Sequence, residues 1–310
     1  MNAPRFQSAM KTTIVMASLL LPLLGASSSA QSTSKPRPEE CPICAEWSAP
    51  HAPFQIFGNT YYVGTNGLSA ILVTSPQGHI LIDGALPESA PQIIANIRSL
   101  GFLVEDVRLI VNSHAHFDHA GGIAELQRAS GAPVAATAPS ARVLEKGASE
   151  ANDPQYGVLR PFPPVAKVQI VVDGEALHVG PLAVTAHLTA GHTAGGTTWS
   201  WVSCESARCL AVVYADSQTP VSADGFLYTN NRSYPNAIAD FEHGASVLEH
   251  LPCDVLLTPH PGASAMFSRV GPRVGGSDVT VDPNGCRTYA AAARAALANR
   301  MAAETETTKR

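Results

Sequence analysis

One stretch decides how this sequence is interpreted: Val111-Asn112-Ser113-His114-Ala115-His116-Phe117-Asp118-His119-Ala120-Gly121-Gly122. It places three imidazoles and one carboxylate within six residues. An apolar, β-branched run before it predicts a buried strand over 107–111, and apolar residues three apart predict a helix after it. The four polar side chains are therefore expected on a loop at the carboxyl end of a strand, where imidazole and carboxylate groups suit zinc.

The spacing within this loop favours two metal ions over one. His114 and His116 are two residues apart, so in an extended loop their side chains point the same way. Asp118 shares that parity, whereas His119 points in another direction. One ion could bind the two histidines, and a neighbouring ion could bind Asp118 and His119. The alternative is that all four are structural residues, which suits an isolated histidine much better than this cluster.

Residues 1–30 have the pattern of a secretory signal peptide. Arg5 and Lys11 are basic, an apolar run extends from Ile14 to Leu24, and small residues precede a cleavage site after Ala30. This run of eleven apolar residues is too short for a transmembrane helix. We therefore expect export to the periplasm without a membrane partner, the alternative being a membrane anchor or a buried helix.

The remaining chain, residues 31–310, is long enough for one large domain, with an irregular Pro- and Ser-rich arm over 31–53. Loss of the two basic residues of the signal segment changes the net charge from −5 to −7. With no basic patch, nucleic acid is not an expected partner. Helix-forming and Val/Ile/Thr-rich segments alternate, which indicates an α/β fold. Nothing in the sequence indicates the oligomeric state.

Short apolar runs separated by turn signals predict an antiparallel meander over residues 54–82. An amphipathic helix is predicted over 91–100. The second half is again β-rich from 168 to 214, without a clear sequence repeat. It continues with a helix over 241–251, a buried strand over 255–257 and a terminal helix over 289–302.

A long Pro-rich loop is predicted over residues 150–166. Tyr156, Leu159 and Phe162 in it are expected to be exposed. Such loops often cover an active site, and a plain surface connection is an equal alternative.

The six cysteines of an exported chain are interpreted as disulfides. Cys204 and Cys209 flank a tight polar turn between two predicted strands, which favours a bond between them. Cys253 and Cys286 are a second preferred pair, and Cys41 and Cys44 are what remains. Fifteen pairings are formally possible, so this assignment is a hypothesis.

Two further histidines stand in glycine- or proline-rich loops directly after predicted strands. His192 lies in Thr189-Ala190-Gly191-His192-Thr193-Ala194-Gly195-Gly196, and His260 lies in Thr258-Pro259-His260-Pro261-Gly262. Each alone is more often structural, but together they supply one more ligand for each of two zinc ions. Asp83, at the end of another predicted strand, is either a turn residue or a group that orients a ligand imidazole.

This set of residues resembles the metallo-β-lactamase superfamily, over roughly residues 50–290. The resemblance implies an α/β fold, an αββα sandwich of two mixed β-sheets flanked by helices. The motif is shared by thioesterases and lactonases of the same fold. Tyr214-Ala215-Asp216-Ser217 and Thr258-Pro259-His260-Pro261, with the predicted export, look like subclass B3. Some members of that subclass have a cysteine where Asn66 stands, and it forms a disulfide with the N-terminal cysteine. In this chain a local Cys41–Cys44 bond could take the place of that disulfide.

The resemblance implies which residues would bind two zinc ions per chain and a small-molecule β-lactam. One zinc would be held by His114, His116 and His192. The other would be held by Asp118, His119 and His260. Asp118 would also orient the zinc-bound hydroxide that attacks the β-lactam amide, an activity that confers antibiotic resistance. Ser217 and Thr219 would contact the substrate carboxylate.

Three alternatives remain open at this point. One is a thioesterase or lactonase of the same fold, and a second is a zinc-binding protein without catalytic activity. The third concerns Asp216, because related hydrolases bridge their two metals with an aspartate near this position.

Overall fold

The computed structural model describes residues 41–270 and 281–308. The strands are β1 (Phe54–Phe57), β2 (Thr60–Tyr62), β3 (Ile71–Val73), β4 (His79–Ile82), β5 (Val107–Val111), β6 (Val134–Ala136), β7 (Val168–Ile170), β8 (Ala176–Val179), β9 (Leu182–Leu188), β10 (Thr197–Glu205), β11 (Arg208–Tyr214) and β12 (Val255–Leu257). The helices are α1 (Cys44–Trp47), α2 (Ala90–Ser99), α3 (Phe117–Ala120), α4 (Ile123–Ser130), α5 (Ala138–Lys146), α6 (Ala237–His250), α7 (Met266–Val270) and α8 (Gly285–Thr308). Short 3-10 helices cover Pro87–Ser89, Val104–Asp106, Tyr228–Asn230 and Pro261–Ser264.

The strands form two mixed sheets, one from each half of the chain. The first has the order β1-β2-β3-β4-β5-β6-β7, antiparallel from β1 to β4 and parallel from β4 to β7. The second has the order β12-β11-β10-β9-β8, in which only the β11–β12 pair is parallel. The predicted meander and the two β-rich halves are confirmed.

Alternating burial along the strands explains why the two sheets stack. Ile80 and Ile82 of β4 face the same core as Val212 and Tyr214 of β11, whereas Leu81 faces the opposite side of its sheet. Because successive side chains of a strand point to opposite faces, each sheet has an inner and an outer apolar face. The inner faces meet in the core between the sheets.

Helices cover both outer faces of the sandwich. The first sheet is covered by α2, α4 and α5, which contribute buried side chains such as Ile93, Leu126 and Leu144. The second sheet packs against α6 and α8 through Leu248 and Ala290. These four layers are the αββα sandwich that the resemblance implied. Among the described residues, no helix combines the length and the apolar character that a bilayer span requires.

Three predicted features differ or lie elsewhere. Residues 1–30 and the part of the arm before Cys41 lie outside the described residues. Within the rest of the arm, Cys44–Trp47 forms a helical turn, which a Pro- and Ser-rich composition does not predict. Phe162 was wrongly expected at the surface and is buried under α5 and the first sheet, whereas Tyr156 is exposed and Leu159 is half-buried.

All six cysteines form disulfides, and the pairing agrees with the preferred hypothesis. Cys41 is bonded to Cys44, Cys204 to Cys209, and Cys253 to Cys286. The last bond joins Cys253, two residues before β12, to the start of α8, so it holds the terminal helix on the second sheet.

Candidate metal centre

Loops from both sheets meet at one end of the sandwich. The loop after β5 carries His114, His116, Asp118 and His119, and the loops after β9 and β12 carry His192 and His260. Two hydrogen bonds tie the first loop to the second sheet: the indole N–H of Trp199 donates to Asn112 O at 3.0 Å, and Thr197 N–H donates to Ser113 O at 2.8 Å. The histidines of separate sheets are thereby brought together.

The first metal group consists of His114, His116 and His192. All three side chains are buried, and one ligand atom from each lies within 4.8 Å of the others. The ring centroids are 4.7–5.0 Å apart. The structure thus places His114 and His116 in one group, with His192 as its third member.

The second metal group consists of Asp118, His119 and His260, again with ligand atoms within 4.8 Å. Asp118 Oδ2 lies 3.3 Å from Nε2 of both histidines. The expectation that Asp118 points the same way as His114 and His116 was wrong, because residues 117–120 form a helical turn instead of an extended loop. Since the turn rotates the chain by about 100° per residue, it directs Asp118 and His119 to the second group.

The chemistry of both groups fits zinc. Nε2 of His114 is buried and has no hydrogen-bond partner among the described residues, which is costly for a polar atom unless a ligand occupies its lone pair. Neutral imidazoles and one carboxylate are suitable zinc ligands. The ring centroids of His114 and His119 are only 4.4 Å apart, so the two groups are adjacent. Two His/Asp groups side by side fit two zinc ions.

In each histidine of the first group, one ring nitrogen forms a hydrogen bond to another residue, and we call this nitrogen the outward one. Nδ1 of His114 is 2.7 Å from Asp216 Oδ1, Nε2 of His116 is 2.9 Å from Asp153 Oδ2, and Nδ1 of His192 is 2.8 Å from the carbonyl oxygen of Thr219. An acceptor on one ring nitrogen places the hydrogen there and leaves the lone pair of the other for a metal.

The second group is less tightly supported. Nδ1 of His119 is buried without a partner in the described part of the chain. Nδ1 of His260 is 3.3 Å from Gly67 O, and the side chain of His260 is 33% exposed. The ring of Trp47 packs on His260 with 5.0 Å between centroids.

Electrostatics keep most ligands ready for a cation. Burial lowers the pKa of His114 well below its ordinary value and that of His192 to about 3, so both rings are neutral at pH 7. Burial also opposes a charge on His116, but the adjacent Asp153 carboxylate outweighs it and raises the pKa. Burial of Asp118 would raise its pKa, yet His119 and His260 hold it well below the usual value. Asp118 is therefore an anion.

Asp83 does not orient a ligand imidazole through a hydrogen bond in this structure. Its carboxylate accepts hydrogen bonds from Asn112 Nδ2, from the backbone N–H and hydroxyl of Ser113, and from the hydroxyl of Tyr214. The distances are 2.6–2.9 Å. Asp83 thus links the start of the metal loop to β11 of the other sheet, and its effect on the histidines is indirect.

Asp216 belongs to neither metal group. Its carboxylate is fully buried on the far side of the His114 ring, where Oδ1 meets Nδ1. A Cβ at Gly196 would overlap Oδ2 of this carboxylate, so the second glycine of the 195–196 pair makes room for it. Asp216 is placed to orient His114 and does not lie between the two groups as a bridging aspartate would.

Both groups face a cleft of about 240 Å³. Ser217 and Thr219, predicted to contact substrate, line it. The wall also contains residues that were predicted neither as metal ligands nor as substrate contacts: Trp47, Phe117, Gln155, Leu159, Val221 and Tyr289. Thr219 has a second contact, because its hydroxyl is 3.2 Å from Nδ1 of His192. A concave site with a few convergent polar side chains suits a small molecule.

Asp153, Trp47 and Gly67 contact the candidate ligands but were not predicted from the sequence. Asp153 stands in the Pro-rich loop with no periodic pattern around it, and Trp47 stands in the arm. Gly67 contributes only its carbonyl oxygen, which no residue type identifies. One feature of the sequence could have identified Asp153. It is an acidic residue in a long loop for which covering the active site was one of two predicted roles.

Comparisons with known proteins agree on one family. The family model described as the metallo-beta-lactamase superfamily matches residues 63–205. Among solved structures, the Rm3 metallo-beta-lactamase is 55% identical, covers 86% of this chain and 99% of its own, and has a TM-score of 0.84. MEM-A1, a subclass B3 enzyme isolated from a soil metagenome library, is 50% identical with coverages of 84% and 99% and a TM-score of 0.82. SMB-1, bound to 2-mercaptoethanesulfonate, is 46% identical with coverages of 83% and 99% and a TM-score of 0.80.

Proposed function

The chain belongs to the metallo-beta-lactamase superfamily, and we propose that it is a zinc-dependent enzyme that hydrolyses the amide bond of β-lactams and so confers resistance to these antibiotics. The observation that carries the proposal is the pair of adjacent His/Asp groups facing one cleft. The position of Asp216 supports a β-lactamase over related hydrolases whose metals share a bridging aspartate, because its carboxylate contacts His114 from behind.

Each of the six proposed ligands has a defined role. His114, His116 and His192 would hold one zinc ion, and Asp118, His119 and His260 the other. When bound, two zinc ions supply a water that ionises near neutral pH and a Lewis acid for the carbonyl group.

Asp118 is the proposed catalytic residue beyond its role as a ligand. Its carboxylate is an anion and one of its oxygens lies between two histidines, so it can hold the attacking water by accepting a hydrogen bond. Hydrolysis adds water across the C–N bond of the lactam ring, and the ring nitrogen leaves with a proton. The hydroxyls of Ser217 and Thr219 line the cleft and would donate to the substrate carboxylate.

We further propose that residues 1–30 are a signal peptide and that the mature protein is periplasmic. Three disulfides support an oxidising compartment. Sequencing the N-terminus of protein from a periplasmic fraction should find Gln31 first. An intact Met1 in that fraction would contradict the cleavage.

Zinc removal tests the activity. Dialysis against a chelator, with the loss verified by elemental analysis, should reduce hydrolysis of the chromogenic β-lactam nitrocefin to the uncatalysed rate, and Zn²⁺ should restore it. A thioester and a lactone measured in parallel should have much lower kcat/KM values. Undiminished activity after verified zinc removal, or faster thioester hydrolysis, would contradict the proposal.

Substitution tests the role of Asp118. Asp118→Asn keeps the shape but removes the charge of a ligand, so turnover should fall more than about tenfold. Asp106→Asn is the matched control, since Asp106 pairs with Arg108 at the surface and should leave turnover unchanged. Wild-type turnover in Asp118→Asn would refute the role.

A further inference from the structure

Asp153 connects a proposed metal ligand to the wall of the cleft. It lies between α5 and β7 and is 6% exposed. Its two carboxylate oxygens have separate partners. Oδ2 is 2.9 Å from Nε2 of His116, and Oδ1 accepts the backbone N–H of Gln155 at 2.8 Å. One side chain therefore holds a histidine and closes a turn of its own loop.

The turns that follow Asp153 form part of the cleft wall. Tyr156 N–H donates to Asp153 O at 3.0 Å, and Val158 N–H donates to Gln155 O at 3.2 Å. Gln155 and Leu159 line the cleft within this run. The position of the wall thus depends on a series of hydrogen bonds between residues close in sequence, and the series starts at Asp153.

A second wall segment is attached to the first. Ala223 N–H donates to Pro154 O at 2.8 Å. Ala223 follows Thr219 and Val221, which also line the cleft. The residue next to Asp153 thereby links the 150–166 loop to the loop that carries the proposed substrate contacts.

We propose that Asp153 is a positioning residue that couples metal binding at the first group to the order of the 150–166 loop. The inference rests on the metal site of the proposed function. A carboxylate oxygen only accepts, so Asp153 places the hydrogen of His116 on Nε2 and leaves the Nδ1 lone pair for the first group. An ion that fixes the His116 ring then fixes Asp153 and the turns built on it.

The coupling is reciprocal. If an ordered loop increases the zinc affinity of the first group by some factor, zinc must stabilise the ordered loop by the same factor. The same hydrogen bond is then measurable from both ends, as a zinc dissociation constant and as amide exchange in the loop. Neither measurement requires a β-lactam, so both are independent of the catalytic activity.

The experiment combines zinc titration and hydrogen exchange on wild-type protein and three variants. Asp153→Ala removes both hydrogen bonds, Asp153→Asn keeps the shape without the charge, and Glu150→Gln is the matched control in the same loop. Glu150 pairs with Arg142 at the surface. Zinc affinities are measured by competition with a chromophoric chelator. Exchange is followed at the amides of Tyr156, Val158 and Ala223, with and without Zn²⁺.

In Asp153→Ala, one of the two zinc dissociation constants should rise about 10- to 100-fold while the other changes less than about threefold. Asp153→Asn should give an intermediate effect, and Glu150→Gln none. In the wild type, zinc should slow exchange at Tyr156 and Val158 by a similar factor, and Asp153→Ala should abolish that difference. Circular dichroism should show that the zinc-free variants remain folded, so that a change in one zinc constant does not reflect loss of the fold.

Two results would each overturn the coupling. They are equal zinc constants in wild type and Asp153→Ala, or wild-type loop exchange that does not depend on zinc. If Asp153→Ala fails to fold, Asp153→Asn and the wild type with and without zinc still decide. A wild-type protein that binds no zinc would contradict the proposed function as well, whereas zinc binding with unchanged exchange contradicts the coupling alone.

Discussion

The two metal groups lie side by side, yet the protein supports them differently. In the first group, Asp216, Asp153 and Thr219 fix the outward nitrogens of all three buried histidines. In the second, His119 has no such partner among the described residues, and His260 is partly exposed with a long contact to Gly67 O.

Since fixed ligands lose less freedom on binding, the first group should bind zinc more tightly than the second. Partial removal with a chelator should therefore leave about one zinc per chain before it leaves none.

Removing one ligand from each group should give the largest effect on zinc affinity, and it tests whether the two groups differ. His114→Ala should weaken the first zinc more than about 100-fold, since even groups that only orient a ligand contribute 10- to 100-fold. His260→Ala should weaken the second zinc less, because water can reach the position of a side chain that is 33% exposed. Elemental analysis after dialysis at defined free zinc measures both constants.

The control for these variants is His250→Ala. His250 is exposed at the end of α6, where it contacts Ser246 O, and it belongs to neither metal group. Greater zinc loss in His260→Ala than in His114→Ala would reverse the proposed order of affinities.

Removing the support of His114 should have the next largest effect. Asp216→Ala leaves Nδ1 of His114 without its acceptor at 2.7 Å, so the first zinc should bind about 10- to 100-fold more weakly. Asp216→Asn should cost less, because an amide oxygen still accepts the hydrogen bond. Chelator competition measures the constant of each zinc in both variants.

Asp254→Asn is the matched control, since Asp254 accepts a hydrogen bond from Ala211 on the same sheet and contacts no ligand histidine. If Asp216→Ala weakened the binding of both zinc ions equally, the hydrogen bonds to the first group would not explain any difference in zinc affinity.

Much of this centre could be predicted from the sequence, because four of its six ligands are close together in the chain. His114, His116, Asp118 and His119 stand within six residues, and both β5 before them and α4 after them have clear apolar patterns. His192 and His260 could also be predicted, because the loops after β9 and β12 lie at the same end of the sandwich as the loop after β5. The sandwich itself follows from alternating apolar residues in two β-rich halves.

The remaining features depend on contacts between distant segments. Asp153 reaches His116 across 37 positions, and Asp216 reaches His114 across 102. Gly67 acts through a carbonyl oxygen, for which every residue type is equivalent. Phe162 is buried because the Pro-rich loop turns back under α5, and composition alone does not reveal that path.

The smallest predicted effect belongs to Trp47, which supports only the second group. Its ring packs on His260, and its carbonyl oxygen accepts the N–H of Gly67, whose own carbonyl oxygen faces Nδ1 of His260. An aromatic pair contributes about 0.5–1.5 kcal/mol beyond its buried area, which corresponds to about 2- to 12-fold in a binding constant. Trp47→Ala should therefore weaken the second zinc by that factor and leave the first unchanged. Trp47→Phe retains a ring and should recover most of the affinity in the same chelator competition. An equal loss in the two variants would mean that the ring does not support His260, and an effect on the first zinc would mean that the two groups are not independently held.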